Sequence, residues 1–211
     1  MTTVDSQFAR RWWRALMGNV VALLVDAQLL LDHGSPGRAQ ALGVLAAEEL
    51  GKAWLLYSEA EHAWAGNLPD VEIPADFEKQ ARSHPAKITQ AAQYGQGVSM
   101  MWEYWFASFA SEAKSEEDLA VIAKQYNLKK QAGFYVDLAG EDVRSPSDVP
   151  ADGVSGLLSE IAQAANMLLV EDHVRMQNSG EEPDWMHDVW QPIVQYGKKN
   201  FNKPARILED Q

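Results

Sequence analysis

Two glutamates and a lysine lie within an otherwise apolar segment of the sequence, AAEELGKAWLL at residues 46–56. Glu49 and Lys52 continue, at helical spacings of three and four, a row that also contains Leu42, Leu45 and Leu56. This spacing predicts that Glu49 and Lys52 face the interior of a helical protein, whereas Glu48 fits an exposed ion pair. A charge inside a bundle is costly unless it is paired. The segment therefore predicts either a buried structural network or a functional site, and both alternatives stay open.

The preceding apolar segment supplies polar partners for these charges. Asn19 and Asp26 share one helical face with two leucines, so an amide and a carboxylate are predicted to point into the same seam. Gly51 lowers helix propensity by about 0.8–1 kcal/mol relative to alanine, and we expect it to mark a close approach between two helices.

The segment SHPAKI places His84 and Lys87 three residues apart at a predicted helix start. Backbone N–H groups and the helix dipole favour an anion there. One interpretation makes His84 a helix cap and Lys87 a solvated charge. The other makes His84 an acid/base and Lys87 a phosphate contact.

The segment LKKQAGFYVD brings Lys130, Tyr135 and Asp137 together where a helix is predicted to end. Lysines in a last helical turn complement the dipole without any further function, and Gly133 is an ordinary helix stop. These residues gain a functional meaning only from their context.

Metal and cofactor chemistry has little support in the sequence. Glu59 and His62 match the Glu-x-x-His pair of di-iron bundles, but such a site needs a second copy of the pair, which the sequence lacks. Walker, dinucleotide-binding, nucleophile-elbow and HExxH motifs are absent from the sequence, as is cysteine. We therefore expect no metal and no cofactor, and keep a carboxylate metal enzyme as the least supported alternative.

The composition fits one globular domain in a reducing compartment. The chain has 211 residues, 46% of them hydrophobic, and a formal net charge of −12. Dedicated nucleic-acid binders are usually basic, so binding to RNA would need a local positive site. Basic residues do cluster locally, namely Arg10, Arg11 and Arg14, then Lys124, Lys129 and Lys130, then Lys198, Lys199, Lys203 and Arg206. The apolar run at residues 20–31 contains Asp26 and is short for a bilayer span, so we expect a cytoplasmic protein without membrane contact.

Apolar periodicity predicts helices at residues 5–32, 38–65, about 85–112, from 115 onwards with Ser115 as cap, and 153–178. A long connection is predicted between residues 66 and 84, and no strand signal is strong enough for a sheet. The expected fold is all-α, a four- or five-helix up-and-down bundle at residues 1–180, with a short Trp-rich extension at 181–211 packed on it.

These segments in order, from the Asn19 region through EELGKA, SHPAKI and KKQAGFYVD to SPSDV, resemble the AbiV family over residues 19–149. That family is counted among the HEPN domains, which are helical bundles of bacterial and archaeal defence systems. The resemblance implies an abortive-infection protein that arrests growth or translation in phage-infected cells. Many HEPN relatives are metal-independent ribonucleases that dimerise across an Arg-x4–6-His site, whereas here one residue separates Arg82 from His84.

The resemblance implies roles for the candidate residues if RNA is cleaved. His84 would be the acid/base, Lys87 and Lys130 would stabilise charge, and Tyr135 would donate a hydrogen bond. The supporting residues would be Asn19, Asp26, Glu48, Glu49, Lys52 and Asp137. The partners would be a second copy of the chain and RNA, or a phage or host protein. The main alternative is a non-catalytic interaction module that uses its aromatic tail, with Trp185 and Trp190.

Overall fold

The computed structural model describes residues 1–101, 115–181 and 186–200, and most of these residues are helical. The helices are α1 (Ser6–Asp32), α2 (Pro36–Ala65), α3 (Phe77–Arg82), α4 (His84–Met101), α5 (Glu116–Phe134), α6 (Ala151–Ser179) and α7 (Met186–Asn200). Two antiparallel strand pairs accompany them, β1 (Thr2–Asp5) with β2 (Asp70–Ile73), and β3 (Asp137–Ala139) with β4 (Asp142–Arg144). The all-α prediction is confirmed. The expectation of no strand pairing was wrong for these two small pairs.

Helix α2 is the central helix of the bundle. It packs against α1, α4, α5 and α6, and most of its residues are buried, including all of its alanines except Ala65, its glycines at 37, 43 and 51, and Tyr57. A helix that is apolar on nearly every side belongs in a core. The helices around it therefore all place groups against α2, and polar groups on α2 meet side chains from several helices.

Two glycine contacts bring α4 and α5 unusually close to α2. A Cβ on Gly51 would overlap the backbone carbonyl of Lys87 in α4. A Cβ on Gly133 in α5 would overlap the carbonyl of Gly37. The predicted role of Gly51 in close helix approach is confirmed, and these two contacts set how far α4 and α5 stand from α2.

Helix ends follow local sequence signals. The Asp5 carboxylate accepts the Phe8 N–H at 2.7 Å and caps α1. The Ser115 hydroxyl accepts the Asp118 N–H at 3.2 Å and caps α5, as predicted. The connection predicted between residues 66 and 84 contains two short elements, β2 and α3. Strand β2 pairs with β1 and buries Val71, which stabilises it at this position.

Helix α7 packs against α6 and α1. The Trp190 indole N–H donates to the Asn166 side-chain oxygen at 2.8 Å, and Ile193 and Tyr196 are buried. Helices α1 and α6 are long and apolar enough to cross a bilayer by length and composition, a test that core helices of a bundle also pass. The predicted helix end near residue 112, Trp185 and the basic residues after 200 lie outside the described residues.

Candidate functional site

Glu48 is the centre of a charged cluster between α2, α4 and α5. Its side chain is 2% exposed. Its Oε2 atom lies 2.5 Å from His84 Nδ1 and 3.1 Å from Lys87 Nζ, and its Oε1 atom lies 2.5 Å from Lys130 Nζ. A single buried carboxylate thus receives hydrogen bonds from three side chains on two other helices, and we call these four residues the Glu48 cluster.

The glycine contacts explain why these side chains meet. Gly51 follows Glu48 by three residues and therefore shares its face of α2. Because Gly51 contacts the carbonyl of Lys87, the first turn of α4 is held beside Glu48. Gly133 holds α5 against the start of α2 in the same way, with Lys130 one turn earlier on α5. Close approach at two glycines thus assembles the cluster.

The start of α4 also orients His84. Ser83 precedes it and caps the helix, since its hydroxyl accepts the Ala86 N–H at 3.4 Å and its carbonyl accepts the Lys87 N–H at 3.0 Å. Ser83 therefore fills the capping position that one interpretation of the sequence gave to His84. The imidazole of His84 is left to bond to Glu48.

The contacts of His84 determine which of its ring nitrogens carries the hydrogen. Nδ1 lies 2.5 Å from Glu48 Oε2 and 3.2 Å from Lys130 Nζ. An ionised carboxylate can only accept, so Nδ1 carries the hydrogen and donates it to Glu48. Nε2 is then the nitrogen that can exchange a proton with a ligand, and the His84 side chain is 57% exposed. A carboxylate that orients a histidine in this way prepares it as a general base.

Glu48 stays ionised despite its burial. Burial alone would raise the pKa of its carboxyl group, but the hydrogen bonds from Lys130, His84 and Lys87 outweigh this effect and lower the pKa below its ordinary value of 4.5. Lys87 and Lys130 have side chains that are 10% and 12% exposed, with their ammonium groups turned to Glu48. Two ammonium groups against one carboxylate leave a local excess of positive charge beside the exposed imidazole.

Glu49 and Lys52 form a separate, weaker cluster with Asn19. The Asn19 amide donates to Glu49 Oε2 at 3.3 Å, and Lys52 Nζ lies 3.5 Å from Glu49 Oε1. The side chains of Glu49 and Lys52 are 20% and 22% exposed. The three residues bridge α1 and α2 at the edge of the bundle.

The prediction that Glu49 and Lys52 face inward while Glu48 faces solvent was wrong, because it assigned the inward-facing row of α2 to the wrong residues. Glu48 is buried, whereas the side chains of Glu49 and Lys52 are partly exposed. The physical reason is that α2 is surrounded by other helices and is apolar on nearly all sides, so the row of leucines does not indicate the inner face. The signal that pointed correctly was Gly51, three residues after Glu48.

Three other predicted site residues do not join the Glu48 cluster. Asp26 is exposed rather than directed into a seam, because the buried face of α1 runs through Leu24 and Ala27. Tyr135 is 63% exposed and its ring contacts Phe134. Asp137 is exposed on strand β3, which begins two residues after Tyr135. The arginine nearest to His84 in sequence, Arg82, is bonded to Glu78 at 2.9 Å.

Metal ligation has no assembled ligand set in the described part of the chain, where no group of three or more His, Asp or Glu side chains is arranged around one point. In the Glu48 cluster two of the three partners of the carboxylate are ammonium groups, which repel a cation. The cluster is built to carry an anion or exchange a proton.

The AbiV family model matches residues 8–169, well over half of the 211 residues. The chain belongs to the AbiV family of HEPN domains. The matched range contains all four residues of the Glu48 cluster, and membership places the chain among abortive-infection defence proteins. Comparison with curated proteins and with solved structures gives no match.

Proposed function

We propose that this AbiV protein is a metal-independent endoribonuclease of the bacterial cytoplasm that arrests growth in phage-infected cells, with His84 as its acid/base. One observation carries the proposal. The buried carboxylate of Glu48 holds Nδ1 of an exposed histidine at 2.5 Å while two lysines hold the carboxylate ionised. General acid–base catalysis needs an oriented, solvent-accessible imidazole of this kind.

The proposed reaction uses the 2′-hydroxyl of RNA as nucleophile. Nε2 of His84 takes the hydroxyl proton as the 2′-oxygen forms a bond to the adjacent phosphorus. The bond from phosphorus to the 5′-oxygen breaks, and that oxygen leaves with a proton from an acid. The products are a 2′,3′-cyclic phosphate and a 5′-hydroxyl, and no metal or cofactor takes part.

Lys87 and Lys130 act mainly through Glu48 in this scheme. Their ammonium groups bond to the carboxylate, so they keep it charged and hold His84 in place. They also give the site a positive potential, which favours a phosphodiester and the charge that develops on it. This role differs from direct phosphate contact, which would require the amines to leave Glu48.

The scheme also requires an acid for the leaving oxygen, and we propose that a second copy of the chain supplies it. His84 is the one histidine in the Glu48 cluster, and a protonated His84 of a second copy can donate. An exposed apolar surface next to the cluster is available for a dimer contact. It follows the end of α5 into the β3–β4 hairpin and consists of Phe134, Tyr135, Val136, Leu138 and Val143, with exposures of 44–81%.

The same surface favours the second candidate function, a non-catalytic module that binds a phage or host protein. Leu138 and Val143 are directly paired across the hairpin and are 81% and 63% exposed. An isolated two-stranded hairpin is marginal in water, and an exposed apolar group of this size commonly marks a protein contact. The two candidates differ in whether RNA is cleaved.

The test compares wild type, His84→Ala and His62→Ala. His62 is an exposed histidine near the end of α2 and serves as the matched control. Each protein is expressed in bacteria to follow growth and total-RNA integrity. Each purified protein is then incubated with tRNA and with ribosomes in EDTA, and the cleaved ends are identified by their phosphate chemistry.

We expect wild type and His62→Ala to cleave RNA in EDTA and leave 2′,3′-cyclic phosphates, and His84→Ala to lose both cleavage and growth arrest. Growth arrest with intact RNA would reject the nuclease and support the binding module. Cleavage that survives in His84→Ala would show that the base is another residue.

A further inference from the structure

A second charged site lies at the C-terminal end of α2, beside the start of α1. A cleft of about 550 Å³ there is lined by three arginines, Arg10, Arg11 and Arg14, together with Gln7 and Asn67. We call it the arginine cleft. Its volume falls in the range of small-molecule sites, about 300–1,000 Å³. Trp64, which also lines it, follows Glu48 by 16 residues on α2, roughly 24 Å along the helix.

We propose that the arginine cleft binds a small molecule that carries a di- or triphosphate group. Guanidinium groups bind phosphate oxygens through paired hydrogen bonds. Arg10, Arg11 and Arg14 follow each other at spacings of one, three and four, which places Arg14 one helical turn from both of the others. Arg11 and Arg14, one turn apart, can therefore contact a ligand in the cleft, whereas the guanidinium of Arg10 is bonded to Asp172.

Arg10 forms a fixed floor for this site. Its guanidinium donates to both oxygens of Asp172, at 2.7 and 2.6 Å. It also stacks 5.0 Å from the ring centre of Trp13 and 4.9 Å from that of Trp64. Asp172 is also bonded to Arg175 at 3.0 Å, so this floor of the cleft is rigid and preorganised.

The charges of α1 itself favour an anion here. The Asp5 carboxylate caps α1, the first turn of the helix holds no acidic residue, and three arginines follow near the positive end of the helix dipole. Like charges one turn apart, and cations at a helix N-terminus, both destabilise a helix. Arg10 is already paired with Asp172 and Asp5 caps the helix, so a bound phosphate group acts mainly on Arg11 and Arg14, which lie one turn apart.

The acidic residues of the cleft already have other partners. Asp5 accepts the Phe8 N–H at 2.7 Å. Glu181 accepts hydrogen bonds from Arg175 at 2.7 and 3.2 Å, which lower the pKa of Glu181. Arg11 is exposed, and its guanidinium lies 6.0 Å from the Phe8 ring centre, so it is free to turn to a ligand.

Isothermal titration of the full chain with sodium pyrophosphate, ADP and ATP tests the proposal at constant ionic strength. The variants are Arg11→Ala and the double variant Arg11→Ala/Arg14→Ala. The matched control is Arg38→Ala/Arg144→Ala, which removes the same charge at two exposed arginines elsewhere. Arg11→Ala changes an exposed residue, so it keeps the test valid if the double variant does not fold.

We expect wild type and the control to bind at least one of the three probes, and the two cleft variants to bind it at least tenfold more weakly. Equal affinities for pyrophosphate and ADP would identify the phosphate group as the recognised part, whereas a clear preference for ADP or ATP would identify a nucleotide. Absence of binding to all three probes, or equal binding by all variants, would overturn the proposal. The readout does not depend on RNA cleavage, so it is independent of the proposed nuclease.

Discussion

Glu48→Gln removes the charge at the centre of the Glu48 cluster with almost no change in shape. Glutamine keeps one acceptor oxygen, but it replaces the other with an NH2 group that faces hydrogen-bond donors. The ammonium groups of Lys87 and Lys130, 10% and 12% exposed, then lose the negative charge that compensates them. The variant therefore tests whether this cluster stabilises the fold as well as the site.

The expected loss is large because the lost partner is buried. Removing one member of a buried ion pair costs about 3–5 kcal/mol, since the remaining charge stays without compensation. The lysine side chains are near the surface and can recover part of this cost by turning to water. We therefore expect Glu48→Gln to lower the free energy of unfolding by about 3 kcal/mol near neutral pH.

The effect depends on pH in a defined direction. The folded-state pKa of Glu48 is lowered below the ordinary 4.5, so its contribution is fully present above the unfolded-state pKa. It is lost as the pH falls through the lower, folded-state pKa. The difference between wild type and Glu48→Gln should hold at about pH 7 and become smaller below about pH 4.

Urea unfolding followed by circular dichroism at both pH values measures the difference, and Glu49→Gln is the matched control. Glu49 is 20% exposed, with contacts of 3.3 and 3.5 Å, so its replacement should cost less than about 1 kcal/mol. Equal losses for the two variants, or a Glu48→Gln loss that does not change with pH, would refute the reasoning. Under the proposed nuclease function, Glu48→Gln should also reduce RNA cleavage by about 10²–10⁴-fold, because His84 loses its orientation.

Two further predictions concern helix packing and a raised pKa. Gly51→Ala should lower the free energy of unfolding by about 1–3 kcal/mol, because the added Cβ meets the backbone of α4. Gly18→Ala has open space around it and should leave the free energy of unfolding unchanged or raise it by up to about 1 kcal/mol. Urea titration of both variants measures the two changes. Burial raises the pKa of Glu160 to about 7, with Lys129 opposing it, so wild type loses stability as pH rises through about 7. Glu160→Gln should be more stable than wild type by about 1–3 kcal/mol near pH 8 and equal to it near pH 4.5, as thermal melts at each pH will show.

Local sequence signals correctly predicted where several helices begin or end. The end of α1 at Asp32, the end of α2 at Ala65 and the Ser115 cap of α5 agree with the structure. These signals depend on neighbours within a few residues, such as an N-cap hydroxyl or a glycine and proline after an apolar run. Strands β1 and β2 were not predicted, because each is four residues long and their pairing joins positions almost seventy residues apart.

The orientation of α2 could not be read from its periodicity. Helices α1, α4, α5 and α6 pack around this helix, so its leucines do not distinguish an inner from an outer face, and the pattern alone cannot tell whether Glu48 or Glu49 is buried. Gly51 carried the missing information, because a glycine that admits a neighbouring backbone fixes which face is tightly packed. Likewise, the bond between Arg10 and Asp172 joins residues 162 positions apart and follows only from the tertiary packing.

The net charge of −12 argues against a protein that binds nucleic acid over a wide surface, but it does not argue against one that acts at a single site. Charges farther from a ligand than about 8–10 Å are largely screened at physiological salt. Within that distance of the exposed His84 imidazole, the Glu48 cluster holds two ammonium groups and one carboxylate. The Glu48 cluster therefore contributes a net positive charge beside the imidazole, which under the proposed function favours a phosphodiester at this site despite the acidic surface elsewhere.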